Sequence, residues 1–353
     1  MIVQCADRFI DQNLHPDQIH RDLVSCCQSF TINVIGFIGF DHDFDIHIHS
    51  PIKKAFHDFI SYVMLIFFSS WLPRWLGKIY LKYNWKYQRA YRLIHELSEK
   101  LVEEEQKKES EMENQRPKNL IASLVSSLNE EANDEQASSG LTRVEIFDEI
   151  LMMILAGYET TSTALSWFIF FVSKNPQVQQ KMKEELREHH LLMTDDLKYV
   201  PQLTEENLAS LIHCECVTKE VLRLASVVVF TTRVATCDTI VDDVKIHRGQ
   251  TIFIALNNIN TDARYWHHAD PQQFVPERFL GEDKNHHPLA MIPFGGGHRA
   301  CIGQELTWLE LKTIIVRMMQ RGITVEDTPE NVGGCVDGFT SFPKEMAVRV
   351  RFD

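Results

Sequence analysis

The chain lacks an excess of positive charge. Its 36 Lys and Arg stand against 49 Asp and Glu, a formal net charge of -13. That is the wrong sign for binding a phosphate backbone, which excludes nucleic acid as a main partner. It also lacks paired cysteines. Eight are scattered along the chain, at 5, 26, 27, 214, 216, 237, 301 and 335. None has a CxxC neighbour or a histidine at zinc spacing, so a disulfide framework and a zinc module are excluded and a reducing compartment is favoured. No basic segment followed by an apolar one opens the chain, which predicts neither a signal peptide nor a membrane anchor in it. No apolar run is long enough to cross a bilayer unbroken. The longest, Phe59 to Leu76, is interrupted by serines, a tyrosine, Pro73 and Arg74.

What is present belongs to a globular protein: 353 residues, 44% hydrophobic and 24% charged. Helical spacing runs from Asp7 to about Phe40, with a start near Asp17, and from Lys78 to Lys108. Two polar stretches, Glu109–Lys118 and Asn129–Gly140, flank a short helix over Asn119–Leu128. Thr142-Arg-Val-Glu145 reads as a capping box opening a long helix that Asn175-Pro176 stops near Lys174. Its nearly continuous apolar stretch from Ile146 to Phe171 predicts a central, buried position. Helices over Gln177–His189 and Glu205–Leu224 precede β-branched stretches at Val227–Val234, Thr239–Ile246 and Thr251–Leu256. His247-Arg-Gly249 is read as a hairpin turn between the last two, and a final helix covers Leu306–Arg321. Trp71 and Trp75 beside Arg74, Lys78 and Tyr80 suit either an interfacial membrane contact over 59–80 or an amphipathic core helix.

The chemistry concentrates in Phe294-Gly-Gly-Gly-His-Arg-Ala-Cys-Ile-Gly303. A cysteine that ligates iron needs its sulfur held as thiolate by nearby amides, which a glycine-rich turn feeding a helix N-terminus supplies. Three glycines let the backbone turn tightly against a flat macrocycle. Phe294 can shield the sulfur, Gly303 relieves crowding at the helix start, and Arg299 can reach a propionate as a charge-assisted pair.

Here the chain resembles the cytochrome P450 family, whose haem-binding loop reads FxxGxRxCxG. Phe294, Gly297, Arg299, Cys301 and Gly303 occupy its fixed positions. Three further family motifs follow the family's order. Ala156-Gly-Tyr-Glu-Thr-Thr161 matches the AGx(D/E)TT element of the distal helix. The resemblance makes Gly157 a groove for dioxygen and Glu159 and Thr160 a proton-delivery pair. Glu220-Val-Leu-Arg223 matches ExxR, with both side chains on one helix face, and Phe274-Val-Pro-Glu-Arg-Phe279 matches FxPERF. Arg278 is thereby expected to complete a buried structural network with Glu220 and Arg223. Arg233 matches the family position that contacts a second propionate.

The resemblance implies a mainly α fold with a small β-sheet portion, the cytochrome P450 fold lacking its N-terminal part, as a single domain over 1–353. It implies haem b with Cys301 as axial iron ligand, and a monooxygenase that inserts one atom of dioxygen into a small apolar organic substrate. Electrons are expected from NADPH through a flavin-containing reductase. The full-length form is expected at the cytosolic face of the endoplasmic reticulum membrane. Members of this type are longer, so a membrane anchor, two strands of the main sheet and part of the substrate pocket are expected outside this chain. Leu224-Ala-Ser-Val-Val228 departs from the proline-containing turn of many relatives. Two alternatives stand beside this reading: a non-catalytic fragment that does not retain haem, and a haem-thiolate isomerase or dehydratase needing no dioxygen. Glu159 and Thr160 argue against the second.

Overall fold

A computed structural model describes the chain except residues 45–49, 70–72, 112–118, 134–140, 194–199 and 226. Trp71, Ser226 and most of the two polar stretches around the short helix therefore lie outside the described residues. Among the described residues helices dominate, with four small antiparallel sheets, so the mainly α expectation holds. The chain folds as two compact units: 1–13 with 22–162, and 14–21 with 163–353.

The first unit is helical. Helices α1 (Ile2–Asn13) and α2 (Leu23–Phe40) replace the single helix expected over Asp7–Phe40. Pro16 cannot continue a helix and Asp17 takes a left-handed φ of 60°, so the chain leaves the helix between them. Phe9 and Phe30 then pack across α1 and α2 at 5.7 Å. Among the described residues α2 alone is long and apolar enough to cross a bilayer, yet most of it is buried, as in a core helix.

The apolar run at 59–76 divides. Its first part lies in α3 (Pro51–Phe68), where Phe59 and Ile60 are buried. Its end opens α4 (Arg74–Tyr83), where Trp75, Ile79 and Tyr80 are exposed. The expected Lys78–Lys108 helix is likewise two, α4 and α5 (Trp85–Glu111). Asn84 breaks it: its Oδ1 accepts the amides of Lys86 and Tyr87 at 3.1 Å each, capping α5. Helix α6 is Leu120–Asn133.

Helix α7 spans Arg143–Lys174. The capping box forms, with Thr142 N–H and Oγ1 donating to Glu145 Oε2 at 2.9 and 2.8 Å. The helix is not buried throughout. Ile146, Ile150, Ile154 and Tyr158 form its inner stripe, while Met152 is 63% exposed. From Thr161 on, nearly every residue is buried or half-buried.

In the second unit, α8 (Pro176–Glu188), α10 (Ile212–Ala225) and α12 (Gln304–Gln320) pack together. The helix expected over Glu205–Leu224 is split at Leu211 into α9 (Glu205–Ser210) and α10. Glu185 supplies the reason: its carboxylate accepts the amides of His213 and Cys214 at 2.7 and 2.9 Å, capping α10 from outside.

Strand β1 (Ile19–His20) joins β9 (Val348–Phe352) and β6 (Ile323–Glu326) in order β1-β9-β6. Strand β2 (Phe230–Val234) pairs with β5 (Thr251–Ala255), and β7 (Gly333–Asp337) with β8 (Ser341–Glu345). Strands β3 (Thr239–Val241) and β4 (Val244–Ile246) form a hairpin whose two-residue turn is Asp242-Asp243, at φ 47° and 64°. The turn at His247–Gly249 exists, with Gln250 N–H donating to His247 O at 3.0 Å, but β4 and β5, which it joins, do not pair with each other.

Candidate functional site

The glycine-rich segment folds as a tight loop before α12. Gly295 and Gly297 take φ of 71° and 67°, the left-handed region that side chains resist. Gly295 N–H donates to Ile292 O at 3.0 Å, Ala300 N–H to Gly297 O at 3.0 Å, and Cys301 N–H to Phe294 O at 2.9 Å. The loop is thus closed on itself with Cys301 at its end, and that thiol is exposed. Gly303 ends the loop; a Cβ there would lie 3.8 Å from Cys301 Sγ, ordinary contact rather than a clash. Phe294 packs against Trp308 of α12, ring centroids 6.1 Å apart.

Three further features of this face bear on what it can hold. Ile302 is 83% exposed beside the thiol. A Cβ at Gly296 or Gly297 would meet nothing within 4 Å. Arg299 is exposed, and its guanidinium makes no hydrogen bond or ion pair among the described residues. A soft sulfur ligand, glycines under open space, an apolar side chain and an uncommitted cation together fit a large flat group bearing a metal and an anionic edge. Arg233 on β2 is half-buried and donates Nη1 to Thr231 Oγ1 at 3.1 Å and Thr232 O at 2.8 Å.

Behind the loop lies a buried ionic network. Arg223 Nε and Nη2 clasp Glu220 Oε2 and Oε1 at 2.8 Å each, and Arg278 Nε donates to Glu220 Oε1 at 2.9 Å. All three side chains are fully buried. Sequence reasoning missed two members. Asp283 accepts from Arg278 Nη1 at 3.0 Å and from the amides of His267 and His268 at 2.8 and 3.2 Å. Burial works to raise its carboxyl, but those amides and Arg278 outweigh it and hold it below the usual range. Trp266 spreads its ring under both guanidiniums, at 4.9 Å from Arg223 and 5.6 Å from Arg278. Both lie in the irregular stretch between β5 and the loop, where no periodicity marks them. The network reaches the loop through Asn260, whose O accepts from Arg223 Nη1 at 3.0 Å and whose Oδ1 accepts the Ile292 amide at 3.0 Å.

The residues expected on the distal helix lie in the first unit. Glu159 is buried; Ala156 is exposed and Thr160 half-buried on one open stripe of α7. Thr160 Oγ1 donates to Ala156 O at 2.6 Å. The groove expected at Gly157 is occupied on its Cβ side by α2: an added Cβ would meet Ile35 Cγ1 at 3.0 Å and Cδ1 at 3.1 Å. This glycine therefore lets two helices approach. Thr31 Oγ1 reinforces that approach by donating to Tyr158 O at 2.6 Å.

The cytochrome P450 family model matches residues 1–326. The chain belongs to the cytochrome P450 family. It is similar to the putative cytochrome P450 132 of Mycobacterium tuberculosis, 35% identical over 187 residues, covering 53% of this chain and 38% of that protein. Mouse cytochrome P450 4V2 is 31% identical over 193 residues, covering 53% of this chain and 34% of that protein. The probable cytochrome P450 4ac3 of Drosophila melanogaster is 33% identical over 186 residues, covering 52% and 35%. The chain thus spans well under half the length of the curated relatives it matches. The crystal structure of the cytochrome P450DA heme domain superposes with a TM-score of 0.77 at 20% identity, covering all of this chain and 70% of that one, and it establishes the fold. Family members are haem-dependent oxidoreductases of the monooxygenase type that draw electrons from a redox partner.

Proposed function

We propose that this chain provides the thiolate-ligated haem site of a monooxygenase that inserts one oxygen atom of dioxygen into a small apolar organic substrate and releases the other as water. The observation that carries the reading is the exposed Cys301 at the end of a loop closed by its own amide, with open space over Gly296 and Gly297 and a free guanidinium at Arg299. Cys301 would hold haem b through its sulfur, and the bound haem would supply the redox chemistry of oxygen activation.

The chain's own residues do the rest. Gly295 and Gly297 fix the turn that presents the sulfur, and Gly303 leaves the space beside it without a side chain. Phe294, packed on Trp308, shields one side of the loop. Arg299 and Arg233 are the proposed partners of the anionic edge. Glu220, Arg223, Arg278 and Asp283 stiffen the backbone behind the loop through Asn260 and Ile292. Thr160 and Glu159 are the proposed proton-delivery pair, and the Thr160 hydroxyl donates to Ala156 O.

The proposed electron donor is NADPH acting through a flavin-containing reductase. The exposed Trp75, Ile79, Tyr80 and Tyr83 of α4 support a peripheral membrane contact, in keeping with an endoplasmic reticulum location for the whole protein. Turnover of the haem-loaded protein with reductase and NADPH under isotopically labelled dioxygen tests the reaction. One labelled atom in product and one in water is the expected result; label absent from product would overturn it.

A further inference from the structure

A cavity of about 270 Å³ opens in the first unit between α3 and α5. It exists because two small side chains face each other there: Ala55 and Ala90 are buried at its floor. Its walls carry Lys54, Lys86 and Arg89, with Asp58 as the one carboxylate and Trp85 and Ser50 completing the lining. The four charged side chains are not stacked by sequence accident on one turn. Lys54 and Asp58 stand four apart on α3, and Lys86 and Arg89 three apart on α5, so each pair projects from one face of its helix.

None of the three cations makes an ion pair among the described residues. Lys54 and Asp58, at a spacing that often pairs, do not meet, and Arg89 has no hydrogen-bonded or ionic partner there. The Lys86 ammonium rests 5.9 Å from the centroid of the Trp85 ring, which holds it at the rim. Ser50 stands before α3 as its N-cap but spends no side-chain hydrogen bond on the helix. In a chain of net charge -13, three cations with no ion pair among the described residues around one concave space are a local inversion of sign. Three positive charges against one negative leave the cavity at about +2, the complement of a phosphate monoester near neutral pH. A single carboxylate would leave a cation unmatched. The guanidinium fork of Arg89 suits phosphate oxygens, the positive end of α3 adds to the same field, and the exposed face of Trp85 offers a ledge for whatever carries the phosphate.

We propose that this cavity is a binding site for a phosphate monoester, presented by a soluble phosphorylated molecule or by the headgroup of an anionic phospholipid. None of its lining residues belongs to the Cys301 loop.

The test uses the whole chain and two arms. Glycerol 3-phosphate is titrated by calorimetry, and vesicles of phosphatidylcholine with phosphatidic acid are compared with vesicles of equal surface charge made with phosphatidylserine. Lys86→Gln with Arg89→Gln is expected to weaken monoester binding about a hundredfold, roughly tenfold for each charge-assisted contact removed. Asp58→Asn is expected to tighten it severalfold, and Lys245→Gln with Arg248→Gln, an equal charge change on exposed residues of the second unit, to leave it unchanged. Binding of glycerol 3-phosphate that follows this order supports the site with a soluble ligand. Binding confined to phosphatidic acid vesicles and following the same order supports it with a lipid headgroup. No monoester binding on either arm, equal binding to phosphatidylserine vesicles, or insensitivity to the cavity variants overturns it. Should the double variant fail to fold by circular dichroism, Asp58→Asn decides alone, and no tightening overturns the proposal.

Discussion

Arg278 Nε donates to Glu220 Oε1 at 2.9 Å across 58 residues of chain, on the same oxygen that Arg223 Nη2 reaches at 2.8 Å. That shared oxygen also accepts the Val275 amide at 2.9 Å, so one carboxylate ties α10 to the stretch that leads into the Cys301 loop.

Removing one member of so buried a network leaves its partners with fewer compensating contacts in a place water does not reach. Arg278→Met is expected to lower unfolding stability by about 3–5 kcal/mol, since Glu220 and Asp283 both lose a partner. Urea denaturation checks this. A loss below about 1 kcal/mol would show that the network is not what holds this region.

The local motifs were legible because each is written in a short stretch: the loop over ten residues, and Glu220 with Arg223 one helical turn apart. Arg278 could be joined to them through the family resemblance alone. Asp283 and Trp266 could not, because they act from irregular backbone and their partners are fixed by tertiary folding. The helix breaks show the same divide. Asn84 was a readable signal, an N-cap residue inside a continuing apolar pattern. The break at Leu211 was not, because the carboxylate that caps α10 belongs to Glu185 on another helix. Strand β1 has two residues and pairs with β9 at the far end of the sequence, which no local pattern could reveal.

Lys53 gives the first unit a measurable pH dependence. Its ammonium is buried among Ser25, Cys26 and Ser29, donating to Ser29 Oγ at 3.2 Å, and burial lowers its pKa to about 8 despite the opposing pull of Cys26, Cys27 and Asp22. The native state sheds this proton before the unfolded state does, so between pH 8 and 10.5 the unfolded chain binds more protons and stability rises with pH. Cys26, pushed up to about 11 by burial, acts in the opposite sense above pH 9. The clean window is therefore pH 8 to 9, where a gain of about 1 kcal/mol is expected from one unit of linkage. Lys53→Met should flatten the slope in denaturant titrations across that window.

Tyr158 is fully buried, and its hydroxyl has no hydrogen-bond partner among the described residues. Burial pushes its pKa up, and the neighbouring charge of Glu159 adds to the effect. Tyr158→Phe removes a desolvated polar atom while keeping the ring on Phe56, 6.1 Å away. A stabilisation of about 1 kcal/mol is expected in thermal or urea unfolding. Destabilisation would reveal a water or ligand on that hydroxyl.

Thr160→Ala removes the proposed proton donor and leaves the residues of the Cys301 loop unchanged. Haem content should stay unchanged while the yield of product per NADPH falls roughly tenfold and peroxide rises in its place. Unchanged coupling would remove Thr160 from the proton path.

The most direct measurement of the central claim is the absorption spectrum of the reduced, carbon monoxide-bound protein, taken on the haem-loaded chain and on Cys301→Ser. Cys301 as thiolate ligand predicts the strongly red-shifted Soret band of a haem-thiolate complex in the parent chain and its loss in the variant. A parent spectrum without that band, or a variant that retains it, would contradict the assignment.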